Sequence, residues 1–217
     1  HTLPEISQDY DSAPLADDLL IETLTNSPNE LVIIALAPFT NLAAAEKKSP
    51  GILKLAKEIV IMGGTFHAPG NITPEAEFNI AYDVEAAKTI FESRNDVVVL
   101  PMDVTEKLVF TPKMAQQIAK IQPEHKVSQF IVNLCDFMAG TALAYRETRG
   151  EEGFLVHDAA TLAYLFYPES LLFRRAEVWI ERQGEYTTGK TLFDNRPKTK
   201  VGANAWVALE VDQVHLL

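Results

Sequence analysis

Hydrophobic and polar positions divide this chain into two kinds of segment. Three short continuous apolar runs, LVIIAL at 31–36, IVIM at 59–62 and VVVLP at 97–101, have the character of parallel strands covered on both faces. Stretches with apolar residues at helical spacing lie among them. The first carries Leu15, Leu19, Leu20 and Leu24. A second is opened by Pro38 and Thr40-Asn41 and runs to about Lys48, and an alanine-rich third spans 84–92. Farther on, helices are expected over 113–120, over 127–145 and from Asp158 to about Phe166, the last stopped before Pro168. Strands are expected at 178–182 and 206–211. The alternation predicts an α/β protein with a mainly parallel open sheet flanked by helices. Without an internal repeat, a low-complexity tract or a linker, residues 1–217 read as a single domain whose first 14 residues are an irregular lead-in. The sheet starts late, and three or four strands are thin for this length.

Composition narrows the field. A hydrophobic content of 47% and a charged content of 23% are those of an ordinary globular chain with a core of useful size. The net charge of −11 argues against nucleic acid, whose phosphates need clustered Lys and Arg; Arg174-Arg175 and Lys198–Lys200 are too short to reverse it. The single cysteine, Cys135, lies in an apolar run at 130–144 and reads as a buried structural thiol. No apolar run is expected to reach the ~20 residues that span a bilayer, so no membrane partner is expected. The opening His1-Thr2-Leu3-Pro4 does not resemble a signal peptide, and the cytoplasm is the expected compartment.

Candidate chemistry concentrates after the second strand. Residues 59–84 run from that strand into Gly63 and Gly64, then through a loop carrying Asn71, Glu77 and Asn79. A strand that fixes a loop of carboxamides and a carboxylate suits a sugar, because each hydroxyl needs a donor and an acceptor. An ordinary loop with capping residues is the competing reading. Ligands of such sheets bind beyond the carboxyl ends of the strands. Three places fit that address: Leu36-Ala37-Pro38, the stretch from Met62 to Asn79, and Asp103. A fourth candidate is His157-Asp158, where Asp158 is placed to cap a helix starting at Ala159 and His157 could donate a proton. A capping Asp with an incidental His is the alternative. His67 could face a ligand from the glycine loop, whereas His1, His125 and His215 have no partners at motif spacing. Zinc, EF-hand, elbow-serine, P-loop and dinucleotide motifs are all missing. Asp17-Asp18 read as the solvated face of the first helix.

Three blocks in order, ALAPFTNLA at 35–43, MGGTFHAPGNITPEAEFNIAYDVEAA at 62–87 and VHDAATLAYLFYPE at 156–169, resemble the inosine–uridine-preferring nucleoside hydrolases. The resemblance is collinear from about Ala16 onward. It implies a Rossmann-like α/β fold, hydrolysis of the N-glycosidic bond of ribonucleosides to ribose and free base, a bound Ca²⁺ that activates water, and a homo-oligomer (dimer or tetramer). By the same resemblance, Asn71, Glu77 and Asn79 hold the ribose hydroxyls and Met62 lines the cavity. Asp158 binds both Ca²⁺ and a sugar hydroxyl, the Leu36 backbone carbonyl is a calcium ligand, and His157 acts near the leaving base. Tyr145 lies where base-side residues arise. An oxocarbenium-like transition state is positive on the ribose, which suits nearby carboxylates.

The family's aspartate cluster, D-x-D-x-x-x-D-D after its first strand, is missing from these residues, so the sheet is expected to lack its first strand or strands. Asp17-Asp18 sit too close to the 31–36 run to replace it. Asp158 and the Leu36 carbonyl are too few for an ion that takes six to eight oxygens, and this polypeptide alone is expected to be inactive or nearly so. The alternative is a non-catalytic nucleoside- or ribose-binding or scaffold member. Base preference is expected to rest on the variable stretch at 144–152.

Overall fold

The computed structural model describes residues 12–194, 196 and 202–213. Most of the expected lead-in, His1, His215, Lys198 and Lys200 lie outside these residues. The expected first helix is α1 (Ala16–Asn26), followed by β1 (Val32–Ala35), α2 (Thr40–Lys48) and β2 (Glu58–Met62). A short α3 (Phe78–Tyr82) precedes the alanine-rich α4 (Val84–Ser93), β3 (Val97–Leu100) and a one-turn α5 (Met102–Thr105). Then come β4 (Val109–Phe110), α6 (Pro112–Ile121), α7 (Lys126–Tyr145), β5 (Phe154–Leu155) and α8 (Ala159–Phe166). The remainder is strand: β6 (Leu171–Ala176), β7 (Val178–Ile180), β8 (Thr191–Phe193) and β9 (Ala205–Val211).

The central sheet has the order β1-β2-β3-β9-β6, with β1, β2, β3 and β9 mutually parallel and β6 antiparallel to β9. The short β4–β5 and β7–β8 pairs stand apart from it. Alternation along the strands sorts the core into two layers. Ile59, Ile61, Val97 and Val99 pack with Leu24, Leu42, Ile90 and Phe91 from α1, α2 and α4. Val60, Val98 and Leu100 pack on the other side with Val104 of α5 and Ala160 of α8. Helices on both faces explain why β2 and β3 are near-continuous apolar runs, each such side chain contributing ~1.5–3 kcal/mol by burial.

Three features differ from the sequence reading. Residues 31–36 were expected to be buried on both faces, yet every residue of β1 is half-buried, because β1 is an edge strand. Strand β6 was unexpected, since Arg174-Arg175 breaks its apolar run. Arg175 is accommodated by stacking over Trp206, its cross-strand neighbour, 5.4 Å from the ring centre, and by donating to the Ala203 carbonyl at 2.9 Å. Third, α7 is 20 residues long and apolar enough to cross a bilayer by length and composition, contrary to the expectation that no run reaches that length. Cys135, Ala139 and Ala142 form its buried face against α6 and β5, and Cys135 is the buried thiol expected. Val127, Phe130, Leu134, Phe137 and Tyr145 make a second, exposed apolar stripe at helical spacing. A helix with two apolar faces reads as one long hydrophobic segment.

Candidate functional site

The parallel register places the carboxyl ends of β1 and β2 side by side. Ala35 pairs with Ile61, so Leu36 lies level with Met62. After Met62 the chain turns through Gly63 and Gly64, and the Gly63 N–H donates to the Leu100 carbonyl at 3.3 Å. Gly64 has φ +80°, and a Cβ there would come within 2.9 Å of the Thr191 side chain, so both conformation and space require glycine.

The loop that follows is fastened from two directions. Asp103, just past β3, accepts from three consecutive backbone N–H groups: Phe66 (2.9 Å), His67 (2.7 Å) and Ala68 (3.1 Å). Its place at a strand end marked it in the sequence; the observed job is to anchor the loop. From the other side, the Thr191 hydroxyl accepts from the Thr65 N–H at 2.8 Å and donates to the Thr65 carbonyl at 2.6 Å. Phe193 packs edge-on against Phe66 and His67, with centroids 4.9 and 5.7 Å apart, and Lys190 pairs with Glu75. His67 is thereby part of the packing between loop and β8. Nothing local in the sequence signals Thr191.

The clasped loop delivers Asn71, Glu77 and Asn79 with defined free valences beside Met62 at the end of β2. Glu77, only 2% exposed, is the N-cap of α3. Its Oε2 accepts from Gly64 N–H (2.9 Å) and Ile80 N–H (3.2 Å), and Oε1 accepts from Asn79 N–H (2.8 Å). An ionised carboxylate offers about four lone-pair sites, so one on Oε1 remains. Burial, partly offset by the three N–H groups and reinforced by the Asp158 charge, pushes this carboxyl above the ordinary range. Asn79 donates through Nδ2 to the Met62 carbonyl at 3.0 Å, with the Met62 sulfur at 3.7 Å, which leaves Oδ1 as an acceptor. Asn71 does the reverse: Oδ1 accepts from Phe78 N–H at 2.8 Å and Nδ2 is left to donate. The capping bonds and the unused polar atoms therefore belong to one arrangement here.

Asp158 occupies the N-cap position of α8, but its side chain makes no capping bond, and Thr161 instead donates to its main-chain carbonyl at 2.7 Å. The capping expected of the Asp158 side chain is not what the structure shows. The carboxylate is thus uncommitted, and its charge is felt at Glu77. Partial burial raises its pKa and the neighbouring His157 opposes that. His157 has Nδ1 2.8 Å from the hydroxyl of Thr105, a residue fully buried in α5. Burial holds the imidazole below its ordinary pKa, against the pull of Asp158 and Glu147. Thr105 was not singled out by sequence. Tyr145, at the end of α7, is exposed.

A separate cavity of about 830 Å³ opens beside the ends of β3 and β9, lined among others by Phe66, His67, Asp103, Glu106, Glu147 and Phe193. Its walls include none of Met62, Asn71, Glu77, Asn79, His157 and Asp158. Among the described residues, no three His, Cys, Asp or Glu side chains gather as a metal site would require. Leu36 and Asp158 together fall well short of a calcium shell, so these residues alone do not fit the ion.

A family model described as inosine-uridine preferring nucleoside hydrolase matches residues 1–217. A probable uridine nucleosidase of Oryza sativa subsp. japonica is 34% identical over 191 residues, covering 88% of this chain and 57% of its own length. A non-specific ribonucleoside hydrolase of Salmonella paratyphi A is 32% identical over 207 residues, covering 94% and 64%. Among solved structures, a plant nucleoside hydrolase superposes with a TM-score of 0.84 at 30% identity, over 99% of this chain and 68% of that one. A purine-preferring ribonucleoside hydrolase from Gardnerella vaginalis gives 0.87 at 26%, over 100% and 66%. The chain thus spans 57% to 64% of the length of these two sequence relatives.

Proposed function

The chain belongs to the inosine–uridine preferring nucleoside hydrolases, and on that footing we propose that it supplies the sugar-binding half of a site that hydrolyses the N-glycosidic bond of ribonucleosides. The observation that carries the reading is the buried, triply hydrogen-bonded Glu77 carboxylate flanked by the unused Asn79 Oδ1 and Asn71 Nδ2, with the Asp158 carboxylate making no capping bond of its own. Two such anions suit a ribose that becomes positive as its bond to the base breaks. Asn71 donates, Asn79 and Glu77 accept, and vicinal hydroxyls need both. His157 stands one residue from Asp158 and is assigned to the leaving base.

Calcium is the ion proposed for the complete site, with the Asp158 carboxylate and the Leu36 carbonyl as this chain's contribution. Two oxygens are too few, so a polypeptide of these 217 residues is expected to turn over nucleoside barely, if at all. A non-catalytic, nucleoside- or ribose-binding role is the second reading, favoured by the lack of a three-residue metal cluster among the described residues. A dimer or tetramer is part of the first.

Two measurements test this. Calorimetric titration with ribose and inosine should show binding that Asn79→Ala or Glu77→Ala weakens at least tenfold; equal affinity in the variants overturns the sugar assignment. Release of reducing sugar from uridine and inosine at millimolar Ca²⁺ should stay near background. Clear turnover, abolished by Asp158→Ala, overturns the proposal that these residues are insufficient.

A further inference from the structure

The Thr105 hydroxyl is fully buried, and among the described residues its hydrogen-bond partner is the Nδ1 atom of His157, 2.8 Å away. A hydroxyl carries one proton and two lone pairs; a neutral imidazole carries one N–H and one bare nitrogen. Two arrangements fit the distance. If Nδ1 bears the proton and donates to Thr105, the hydroxyl proton is left without an acceptor in a place water does not reach. An unmade hydrogen bond of that kind is costly. If the hydroxyl donates to a bare Nδ1, its proton is satisfied and the ring proton must sit on Nε2. We propose that Thr105 is a positioning residue that holds neutral His157 as the Nε2–H tautomer, presenting a hydrogen-bond donor from the ring's far nitrogen.

The chemical consequence rests on the proposed reading of His157 as the group beside the leaving base. A departing base gathers negative charge on its nitrogens. A fixed N–H donor stabilises that charge without the imidazole first having to become a cation. Thr105 touches no substrate and acts through the ring it orients. The residue is placed for this by α5, whose one turn directly follows β3 and brings Thr105 beneath the start of α8. The Thr105 N–H and carbonyl are taken by Pro101 and Leu108, which pins the backbone and leaves only the side chain to face the ring.

The test needs no turnover, so its failure is distinct from that of the functional reading. The chain is prepared with ¹⁵N-labelled histidines, and the ring nitrogens are observed by long-range proton–nitrogen correlation at pH about 8.5, where a neutral ring is expected. His157→Gln assigns the signals. The expected result is an unprotonated Nδ1 and a protonated Nε2 in wild type, retained in Thr105→Ser. In Thr105→Val the Nδ1 signal moves toward the position of a nitrogen without a donor, and the two tautomers mix. A protonated Nδ1 in wild type overturns the proposal, as does a Thr105→Val spectrum identical to wild type. If Thr105→Val fails to fold, the wild-type tautomer decides alone.

Discussion

Thr191 is 126 positions from Thr65 in the chain, yet its single hydroxyl serves both backbone polar groups of that residue, accepting from the N–H at 2.8 Å and donating to the carbonyl at 2.6 Å. Both residues are almost wholly buried, at 1% and 2% exposure. Thr191→Val keeps the shape and removes both bonds, leaving two buried backbone groups unpaired. The expected loss is about 2–4 kcal/mol in chemical denaturation. Thr191→Ser, which keeps the hydroxyl and deletes a methyl, should cost about 1 kcal/mol.

Asp103 makes a different kind of prediction because its three donors lie on consecutive residues. In Asp103→Asn one of the two accepting oxygens becomes an NH₂ that faces a backbone N–H. We expect a loss of about 1–2 kcal/mol, the site being only half-buried. Hydrogen exchange should quicken at the amides of Phe66, His67 and Ala68 while those of β2 and β3 keep their protection.

Glu77→Gln separates charge from shape. If the amide NH₂ takes the Oε1 position it meets the Asn79 N–H, and if it takes the Oε2 position it meets both the Gly64 and the Ile80 N–H. Stability should fall by about 1–3 kcal/mol. The raised Glu77 pKa has a definite sign as well. Its folded form binds the proton more tightly than the unfolded chain, so its contribution declines as pH rises through the window above 4.5. In the glutamine variant that decline should be absent.

His157 titrates with the opposite sign. Burial lowers its pKa in the folded state, so below 6.5 the unfolded chain takes up the proton more readily. Its contribution is fully present above 6.5 and is lost as pH falls through the lowered folded value. The stability difference between wild type and His157→Gln, followed by denaturation across pH 4.5–8, should therefore rise with pH and level off near 6.5. A flat difference would contradict the burial-driven shift.

The strands and helices that were legible in sequence are those whose signal is local. The apolar runs at 31–36, 59–62 and 97–101 each became a strand, because parallel strands covered by helices are apolar on both faces. The polar loop was legible for the same reason: Asn71, Glu77 and Asn79 follow one strand within a few turns of chain. Hidden features were those set by contacts distant in sequence. Arg175 disguised β6 until Trp206 supplied a ring to stack on. Thr105 and Thr191 look like any threonine until the fold brings them to His157 and Thr65. The half-buried state of β1 depends on its place at the sheet edge, about which its own composition is silent.

That edge has a counterpart at the other end of the sheet. Strand β6 carries two arginines and an irregular register between Leu172 and Phe173, both of which discourage a foreign strand from docking. Strand β1, VIIA, has neither a charge nor a bulge, and among the described residues it pairs only with β2. The sheet is thus polarised, with one guarded margin and one receptive margin. Of the two margins of the central sheet, Val32–Ala35 is the one with no built-in obstacle to an added strand. A single lysine placed among Val32–Ala35 should therefore lower any tendency of the chain to associate through this edge, as read by light scattering against concentration.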